Sequence, residues 1–481
     1  MILAAFFALQ ISFMIVLISI PAHQINRLKV ISLCGSFGVF LYSIFFWIFF
    51  NPLTSKFQYT FSLTWFHGYP LIFGLDALSL VFVMLSTLLT PCCLLCIFHG
   101  IYKKIKEIIL LFIFLELLLT LLFSTLDLGL FYIFFESILI PMFLLIGFWG
   151  SNRRKIVAAY LFFLFTLVGS LLMLATLLFL YSKTASLNYY TLVTTTFSEI
   201  EQLFLWPGLF IACAVKVPMF PVHGWLPEAH VEAPTAGSVL LAGILLKIGV
   251  YAIFRFIFPM LPYGTIYYSP LVNAFALIGA LYAALIALRQ IDLKKIIAYS
   301  SIAHMNFGLF GIFTLKLTAI HGALLLMLAH GFVSSALFIL VGVIYDRYKI
   351  RLLSSLTGLT QLMPLFSIYF FMFSLANLGF PGTFNFVSEY LIIVGLAGTN
   401  LFILLISCFP LFFTTCFGIW LYTRVAFGAL NHKIQYYVDL TLEETINLSI
   451  LLVPTILFGL FPNSLCTLLQ NFLLNTLAIF Y

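Results

Sequence analysis

The chain has 481 residues, of which 64% are hydrophobic and only 8% are charged, and its formal net charge is +7. Soluble domains carry about 25% charged residues, so this composition excludes a soluble protein and predicts an integral membrane protein. The apolar runs are long and do not alternate with polar residues, which favours membrane-spanning helices over a closed β-barrel. Neither a phosphate-binding glycine loop nor a nucleic-acid-binding motif is recognisable in the sequence.

Fourteen membrane spans are predicted from the apolar runs, and the first begins at Ile2 without a preceding basic stretch or cleavage site. No removable signal or transit peptide is therefore expected. The fourth and fifth spans are separated only by the short stretch STLDLG. The predicted spans cover residues 2–20, 29–49, 74–98, 108–123, 125–148, 155–181, 203–230, 235–257, 270–288, 294–313, 318–345, 364–397, 400–427 and 445–463.

The basic residues are unevenly distributed between the two sets of loops. Sixteen Lys and Arg side chains lie in loops after odd-numbered spans, whereas the opposite side has four, namely Lys56, Lys183, Arg255 and Lys316. Basic loop residues mark the inner side of a membrane, so both termini are predicted on the outer side. This asymmetry accounts for the net positive charge without a polyanionic partner.

Two predicted spans contain residues that interrupt a helix. The seventh carries KVPMFPVHGWLP and the twelfth LANLGFPGTFNFVSEYL, and proline removes a backbone donor and clashes with the preceding turn. Because the breaks are five spans apart, the pattern predicts an all-α polytopic membrane protein with two inverted five-helix repeats, spans 4–8 and 9–13, as in transporters. The alternative is that Pro and Gly are merely frequent in membrane helices. The predicted segments are a three-helix segment at 1–107, the two repeats at 108–257 and 258–427, and a C-terminal helix and tail at 428–481.

Six ionisable residues lie near the middle of six different predicted spans. A charged group at the bilayer centre costs about 2.5–3.5 kcal/mol on insertion scales, and it persists only where it meets a partner or water. Lys and Glu in apolar surroundings are shifted toward their neutral forms, so making and breaking charge pairs moves protons. The pattern predicts a chain of proton-carrying groups through the membrane interior, formed by Glu136, Lys216, Lys247, His304, His330 and Glu389.

Less specific roles remain open for several ionisable residues. A mid-span histidine can simply hydrogen-bond a neighbouring helix, and Glu136 can be a structural partner of a lysine. Glu116 is a further mid-span acid, for which a structural role is favoured. The cysteine run PCCLLCIF is interpreted as packing, since no His or carboxylate joins it at metal-ligand spacing. Three residues flank the first break and are candidates for lining an entrance, namely Glu228, His230 and Glu232.

Four stretches resemble the antiporter-like membrane subunits of respiratory complex I, in particular those of the chain 4 type: FYIFFESILIPM, AVKVPMFPVHGWLPEAHVEAPTAGSVLLAGILLKIGVY, IIAYSSIAHMNFGLFGI and LMLAHGFVSSALFILVGVIYDR. The resemblance covers nearly the whole chain and is strongest over residues 125–430. The tail SLCTLLQNFLLNTLAIFY departs from the family's pattern and is a candidate for an extra interfacial helix. The roles that the resemblance implies are a charge pair, a central relay and a connection toward the exit: Glu136 with Lys216, Lys247 with His304, and His330 with Glu389.

The resemblance also implies a biological setting. The chain would be a proton-translocating subunit of an NADH:ubiquinone reductase in the mitochondrial inner membrane, with both termini on the intermembrane-space side. It has no flavin, iron–sulfur or quinone signature, so no cofactor or metal is expected here. NADH, FMN, iron–sulfur clusters and ubiquinone are expected on partner subunits. The expected partners are chain 2-like and chain 5-like neighbours, lipids, protons and water, and no nucleic acid.

Two other functions are compatible with the pattern. A subunit of a multisubunit Na⁺/H⁺ antiporter looks similar and would exchange cations without NADH. A purely structural membrane spacer is the third possibility, and the buried lysines argue against it because a spacer has no use for charges in lipid.

Overall fold

A computed structural model describes residues 2–64, 70–100, 104–398, 401–429 and 438–480. The described chain is mostly α-helical, and a single hairpin of strands β1 (Gln58–Thr64) and β2 (Pro70–Leu75) lies between the second and third helices. The helices are α1 Ile2–Ser19, α2 Ile25–Phe49, α3 Ala77–His99, α4 Ile105–Ser124, α5 Leu128–Ser137, α6 Leu139–Trp149, α7 Lys155–Thr184, α8 Tyr189–Thr194, α9 Glu199–Lys216, α10 Trp225–Glu232, α11 Thr235–Leu240, α12 Lys247–Ala252, α13 Phe258–Met260, α14 Pro262–Arg289, α15 Leu293–Phe313, α16 Leu317–Tyr348, α17 Leu359–Leu362, α18 Pro364–Asn377, α19 Phe384–Ala397, α20 Leu401–Ala426, α21 Leu442–Leu460 and α22 Asn463–Leu477.

Within the described ranges, twelve helical segments are long and apolar enough to cross a membrane, and they coincide with twelve of the predicted spans. The other two predicted spans are both divided. Residues 217–224 separate α9 from α10, and residues 378–383 separate α18 from α19. The helical membrane fold and both interruptions are therefore confirmed. The count of fourteen spans and the inverted relation of the repeats stay predictions.

The β-hairpin is a departure from the all-helical prediction. The strand sequence QYTFSLT alternates polar and apolar residues, and β1 and β2 pair in antiparallel register from Phe61 opposite Phe73 to Thr64 opposite Pro70. Such alternation suits a strand with one buried face. The hairpin also delays the next helix, which begins at Ala77 rather than at the predicted residue 74. Asp76 caps that helix by accepting from the Ser79 amide at 2.9 Å.

The described chain forms two compact units. The first comprises Met1–Val217, Lys247–Tyr268 and Thr467–Tyr481, and the second comprises Pro218–Leu246 and Ser269–Cys466. In the first unit α7 packs along α9, and α2 and α4 pack against α3. In the second unit α16 is the central helix, with α15, α19 and α21 around it.

The spans differ widely in how much of their apolar length is buried. The segments Thr235–Met260 and Leu317–Tyr348 are buried over 100% of it, and Leu293–Phe313 over 94%, compared with 28% for α1 and α20. A helix that is apolar all round and buried belongs to a core, whereas a partly covered one faces lipid. The three most buried spans carry Lys247, His330 and His304, so these groups do not face the lipid.

Candidate functional site

Lys216 is the last residue of α9 and is buried, with 3% of its surface exposed. Its position at the C-terminal end suits a cation, because the unpaired carbonyls there carry the negative end of the helix dipole. The Nζ atom lies 4.5 Å from the ring centroid of Phe135 and 5.9 Å from that of Phe162. Both rings offer their electron-rich faces, so the ammonium makes cation–π contacts.

Glu136 follows Phe135 on α5 and interacts electrostatically with Lys216. The sequence predicts that these two side chains form an ion pair, and that pairing stays a prediction. Among the described contacts, the Lys216 ammonium instead lies over the aromatic ring, and Oε1 of Glu136 is buried without a hydrogen-bond partner. Within the described contacts, no hydrogen bond or ion pair therefore joins the carboxylate to the ammonium.

Lys247 is fully buried and is the first residue of α12. That helix has only six residues, because π-helical turns lie on both sides of it, at Leu241–Leu245 and Ile253–Ile257. π-turns inside α-helices are rare and occur frequently at functional sites. Nothing in the run SVLLAGILLKIGVY distinguishes a π-turn from an α-helix, since its mainly apolar residues suit either.

Gly249 allows α12 to approach α9 closely. A Cβ atom at this position would lie 2.7 Å from the carbonyl oxygen of Cys213 and 2.5 Å from a methyl group of Val217. Both distances are shorter than a real carbon contact, so only glycine fits. The helix that begins with Lys247 is consequently held against the backbone of the helix that ends with Lys216.

In the second unit, three of the predicted residues come together. Nδ1 of His304 on α15 lies 3.3 Å from Oε1 of Glu389 on α19, and the ring centroids of His304 and His330 are 5.8 Å apart. All three residues are buried, with 1%, 7% and 0% of their surfaces exposed, respectively. A protonated His304 and an ionised Glu389 stabilise each other, and His330 lies within one small side-chain movement of His304.

The glycine-rich break of the twelfth predicted span makes room for Glu389. Gly379 and Gly382 have φ angles of +70° and +91°, a conformation that favours glycine. A Cβ atom on Gly379 would collide with Oε2 of Glu389, whereas one on Gly382 would meet open space. The carboxylate therefore folds back from α19 onto the interrupted backbone.

The residues flanking the first break are held in place by cations of the same unit. Glu228 on α10 forms an ion pair with Lys295 at 3.1 Å, and Lys294 donates to the Ala233 carbonyl at 2.8 Å. The ring of His230 stacks on Phe338 with centroids 4.6 Å apart. Only the Lys294 contact lies at the C-terminal end of α10, where cations are favoured. The predicted entrance at this place stays a prediction.

Two further predicted features have local explanations. Glu116 is buried in α4 with Thr90 of α3 as its neighbour, so a structural role stays open for it. The cysteines of PCCLLCIF carry no disulfide. Within the part of the chain that the structure describes, no group of three or more His, Cys, Asp or Glu could hold a metal ion.

Arg255 is a correction to the sequence analysis, which counted it among the loop residues. It lies inside a π-helical turn of the eighth span, with 1% of its side chain exposed, and pairs with Asp76 at 2.5 Å. The smaller set of loop charges therefore has three members instead of four. The available signal was spacing: Arg255 follows Lys247 by eight residues, close to two helical turns, and so belongs to the same buried face.

The sequence of the chain matches known proteins over most of its length. Residues 125–417 match the family model described as NADH:quinone oxidoreductase/Mrp antiporter, TM. The chain is 47% identical over 454 residues to NADH-ubiquinone oxidoreductase chain 4 of Chondrus crispus, covering 93% of this chain and 92% of the relative. It is 48% identical over 451 residues to the protein of the same name from Arabidopsis thaliana, covering 93% and 91%. The chain belongs to the NADH-ubiquinone oxidoreductase chain 4 family.

Two solved structures show a similar architecture. A chain of respiratory complex I from Thermus thermophilus matches with a TM-score of 0.89 at 26% identity, and each chain is covered completely. A chain of the archaeal membrane-bound sulfane sulfur reductase matches with a TM-score of 0.84 at 21% identity, covering 95% of this chain and 76% of that chain. The second likeness is one of fold alone. The antiporter-like membrane fold predicted from the sequence is confirmed.

Proposed function

We propose that the chain translocates protons as an antiporter-like membrane subunit of respiratory complex I. The observation that carries the proposal is the placement of buried ionisable groups on the three most buried spans. Hydrocarbon-facing helices cannot hold such groups without a large penalty, and a protein that only fills space has no use for them. Membership of the chain 4 family supplies the reaction to which they contribute.

In the first unit, protonation of Lys216 and of Lys247 is proposed to alternate. An ionised Glu136 would attract a protonated Lys216, and the ring of Phe135 contacts the Lys216 ammonium. A positive charge on Lys216 disfavours a second positive charge on Lys247, because like charges repel strongly in a low-dielectric interior. A shift of Glu136 relative to Lys216 would then change which lysine carries the proton.

In the second unit, His304, His330 and Glu389 are proposed to form a proton-transfer group. Imidazole can accept a proton at one nitrogen and release one from the other, so adjacent histidines pass protons along. The 3.3 Å separation of His304 Nδ1 from Glu389 Oε1 is short enough for a small adjustment to complete a hydrogen bond. Glu389 would stabilise the positive charge on His304 and accept its proton in turn.

The setting follows from the family. The proposed location is the mitochondrial inner membrane, with both termini on the intermembrane-space side. Electron transfer from NADH to ubiquinone, with FMN and iron–sulfur clusters, is assigned to partner subunits. Chain 2-like and chain 5-like subunits are the proposed neighbours within the membrane. This chain would act as a translocase and contribute no redox centre.

The test uses the variant Lys247→Met in the assembled complex in membrane vesicles. Methionine fills a similar volume and is compatible with an apolar interior, so insertion and assembly are expected to be retained. The proton-to-electron ratio during NADH oxidation should fall, because the central proton carrier is missing. An unchanged ratio in assembled Lys247→Met complex would overturn the assignment. Sodium-dependent proton exchange without NADH oxidation would favour the antiporter instead.

Glu136→Gln is the companion variant for the lysine–carboxylate interaction. Glutamine keeps the size and removes the charge that attracts Lys216, so coupled NADH oxidation and proton translocation should both decrease while assembly continues. Normal coupled activity in this variant would remove Glu136 from the proposed mechanism and leave Lys247 to be judged by its own variant.

A further inference from the structure

A buried hydrogen-bonded cluster lies on the same span as Lys247, a few residues further along the chain. Tyr251 and Arg255 follow Lys247 at intervals of four residues, which places the three side chains on one face of the helix. Arg255 donates from Nε to the Tyr251 hydroxyl at 3.2 Å, and it forms the ion pair with Asp76. The Tyr251 hydroxyl in turn donates to the carbonyl of Phe123, at the end of α4, at 2.8 Å.

This chain of contacts lies where the helix is least able to fix its own orientation. The six residues of α12 are continuous α-helix, but each neighbouring π-turn has i→i+5 hydrogen bonds and so offsets the rotation of the residues beyond it. The direction in which Lys247 points therefore depends on side-chain anchors. Tyr251 and Arg255 provide two of them, and they attach α12 and the following turn to α4 and to the N-terminal end of α3.

Aromatic rings surround the guanidinium of the ion pair. The guanidinium of Arg255 lies 4.8 Å from the ring centroid of Phe57, 5.3 Å from that of Tyr251 and 5.9 Å from that of Tyr189. Asp76 exposes 8% of its side chain. Arginine does not release its proton in proteins, so this pair does not carry protons itself.

Stability alone gives little reason to keep such a pair. Replacing a buried ion pair by neutral residues of similar size is often neutral or stabilising, because both charges lose their hydration on burial. The pair does have directional hydrogen bonds, however, and a neutral substitute would lose their geometry. Orientation is therefore the property that the pair contributes.

We propose that Asp76, Arg255 and Tyr251 are positioning residues that set the orientation of the Lys247-bearing turn for proton transfer. The proposal rests on the role given to Lys247 above. Asp76 is itself fixed, since its carboxylate also accepts from the Ser79 amide and its own amide donates to the Ser79 hydroxyl at 2.7 Å. The anchor thus connects the capped start of α3 to the helix that carries the lysine.

The first test removes one oxygen atom and has a matched control. Tyr251→Phe deletes the hydroxyl while the buried ring remains, and the assembled complex should lose about threefold or more of its proton translocation per electron transferred. Tyr268→Phe is the control, because the Tyr268 hydroxyl also donates to a carbonyl, that of Leu203 at 3.1 Å, in the same unit but away from Lys247. Equal ratios in the two variants would overturn the proposal.

The second test separates orientation from the cost of an unpaired buried charge. Asp76→Asn alone leaves Arg255 unpaired and should reduce both assembly and proton translocation. The double variant Asp76→Asn/Arg255→Gln removes both charges, so assembly should recover. A positioning role predicts that the proton-to-electron ratio of the assembled double variant stays low. The single variant Asp76→Glu keeps the carboxylate and should have a ratio closer to that of the parent. A double variant with the wild-type ratio would show that the pair is only structural.

Lys247→Met distinguishes failure of this proposal from failure of the proposed function. If that variant lowers the ratio while Tyr251→Phe and the double variant do not, only the positioning role is wrong. If Lys247→Met leaves the ratio unchanged, the proposed function fails and the positioning role fails with it.

Discussion

The break at residues 217–224 and the break at residues 378–383 each lie beside a buried ionisable side chain, but they are built from different residues. Pro218 and Pro221 interrupt the first, whereas the second combines Pro381 with two glycines that have positive φ angles. At the first break the charge is Lys216, on the final turn of α9. At the second it is Glu389, which reaches back from α19 to Gly379.

The difference shows two ways of accommodating a charge at a helix interruption. A cation at a helix C-terminus is favoured directly by the unpaired carbonyls of its own helix, so the first break needs no extra space beside Lys216. The carboxylate of Glu389 originates beyond the first turn of its helix, and the interrupted backbone must leave room for it. Glycine supplies that room, and its positive φ angle bends the chain away.

The largest effect is expected from Gly379→Ala. The new methyl group would collide with the Glu389 carboxylate and would also be strained at φ +70°. We expect proton translocation by the assembled complex to fall by about tenfold, which corresponds to about 1.4 kcal/mol. Gly382→Ala is the matched control, since Gly382 also has a positive φ angle, +91°, but a built Cβ atom there meets open space. Equal losses in the two variants would show that Glu389 does not depend on this space.

A smaller effect is expected from Asn306→Leu, which tests how the first break is stabilised. Asn306 is buried, and its Nδ2 donates to the Pro218 carbonyl at 3.1 Å and to the Ile302 carbonyl at 2.8 Å. Leucine would leave the Pro218 carbonyl without this donor, at a cost of about 1–3 kcal/mol in the free energy of unfolding.

The measurement for Asn306→Leu is the thermal unfolding of the purified complex. Asn273→Leu serves as the comparison, because Asn273 donates to the Phe313 carbonyl at 3.0 Å but is only partly buried. The decrease in the unfolding midpoint of Asn273→Leu should be smaller, since water or lipid headgroups can replace the lost donor. If the two variants have the same unfolding midpoint, the Asn306 contact at the break contributes no more stability than the Asn273 contact.

The smallest effect is expected at the start of α9, far along the helix from the first break. Glu201 accepts a hydrogen bond from Lys183, which holds the pKa of its carboxyl below the ordinary value of 4.5. A lowered pKa in the folded state adds stability above the unfolded value, and this is lost as the pH falls through the folded value. Lys183→Met should raise the pKa of Glu201 and weaken this acid-dependent contribution.

At neutral pH the Lys183→Met variant should translocate protons normally and unfold almost as the parent does, because exposed ion pairs contribute little. The check is the difference between the unfolding midpoints of the two proteins, which should be small at neutral pH and should disappear as the pH falls through the folded pKa of Glu201. A large decrease in the unfolding midpoint of Lys183→Met at neutral pH would indicate that the ion pair stabilises more of α9 than its exposed start.

The sequence was sufficient for features that depend on local chemistry. Proline at 218 and 221 and glycine at 379 and 382 predicted the two breaks, because these residues have definite backbone consequences. The lysines at 216 and 247 were conspicuous because apolar surroundings leave few roles for a charge. The mutual positions of His304, His330 and Glu389 were implied by family resemblance and required the structure to be seen.

Features that depend on distant partners were not predictable in the same way. Asp76 and Arg255 are 179 residues apart in the sequence, and nothing local to either one identifies the other. The π-turns around Lys247 have no sequence signature, because their residues suit an α-helix equally well. The contact of the Phe135 ring with Lys216 was not predictable either, because a phenylalanine next to Glu136 is ordinary in an apolar run.

The contact at Gly249 limits how α9 and α12 can move. The space beside Gly249 is bounded by main-chain atoms of Cys213 as well as by the Val217 side chain, so a change of side-chain rotamer alone cannot loosen the contact. Every substitution at this position adds at least one carbon atom and wedges the two helices apart. The two helices are therefore packed rigidly at this level. A displacement of one lysine-bearing helix should move the backbone of the other as well.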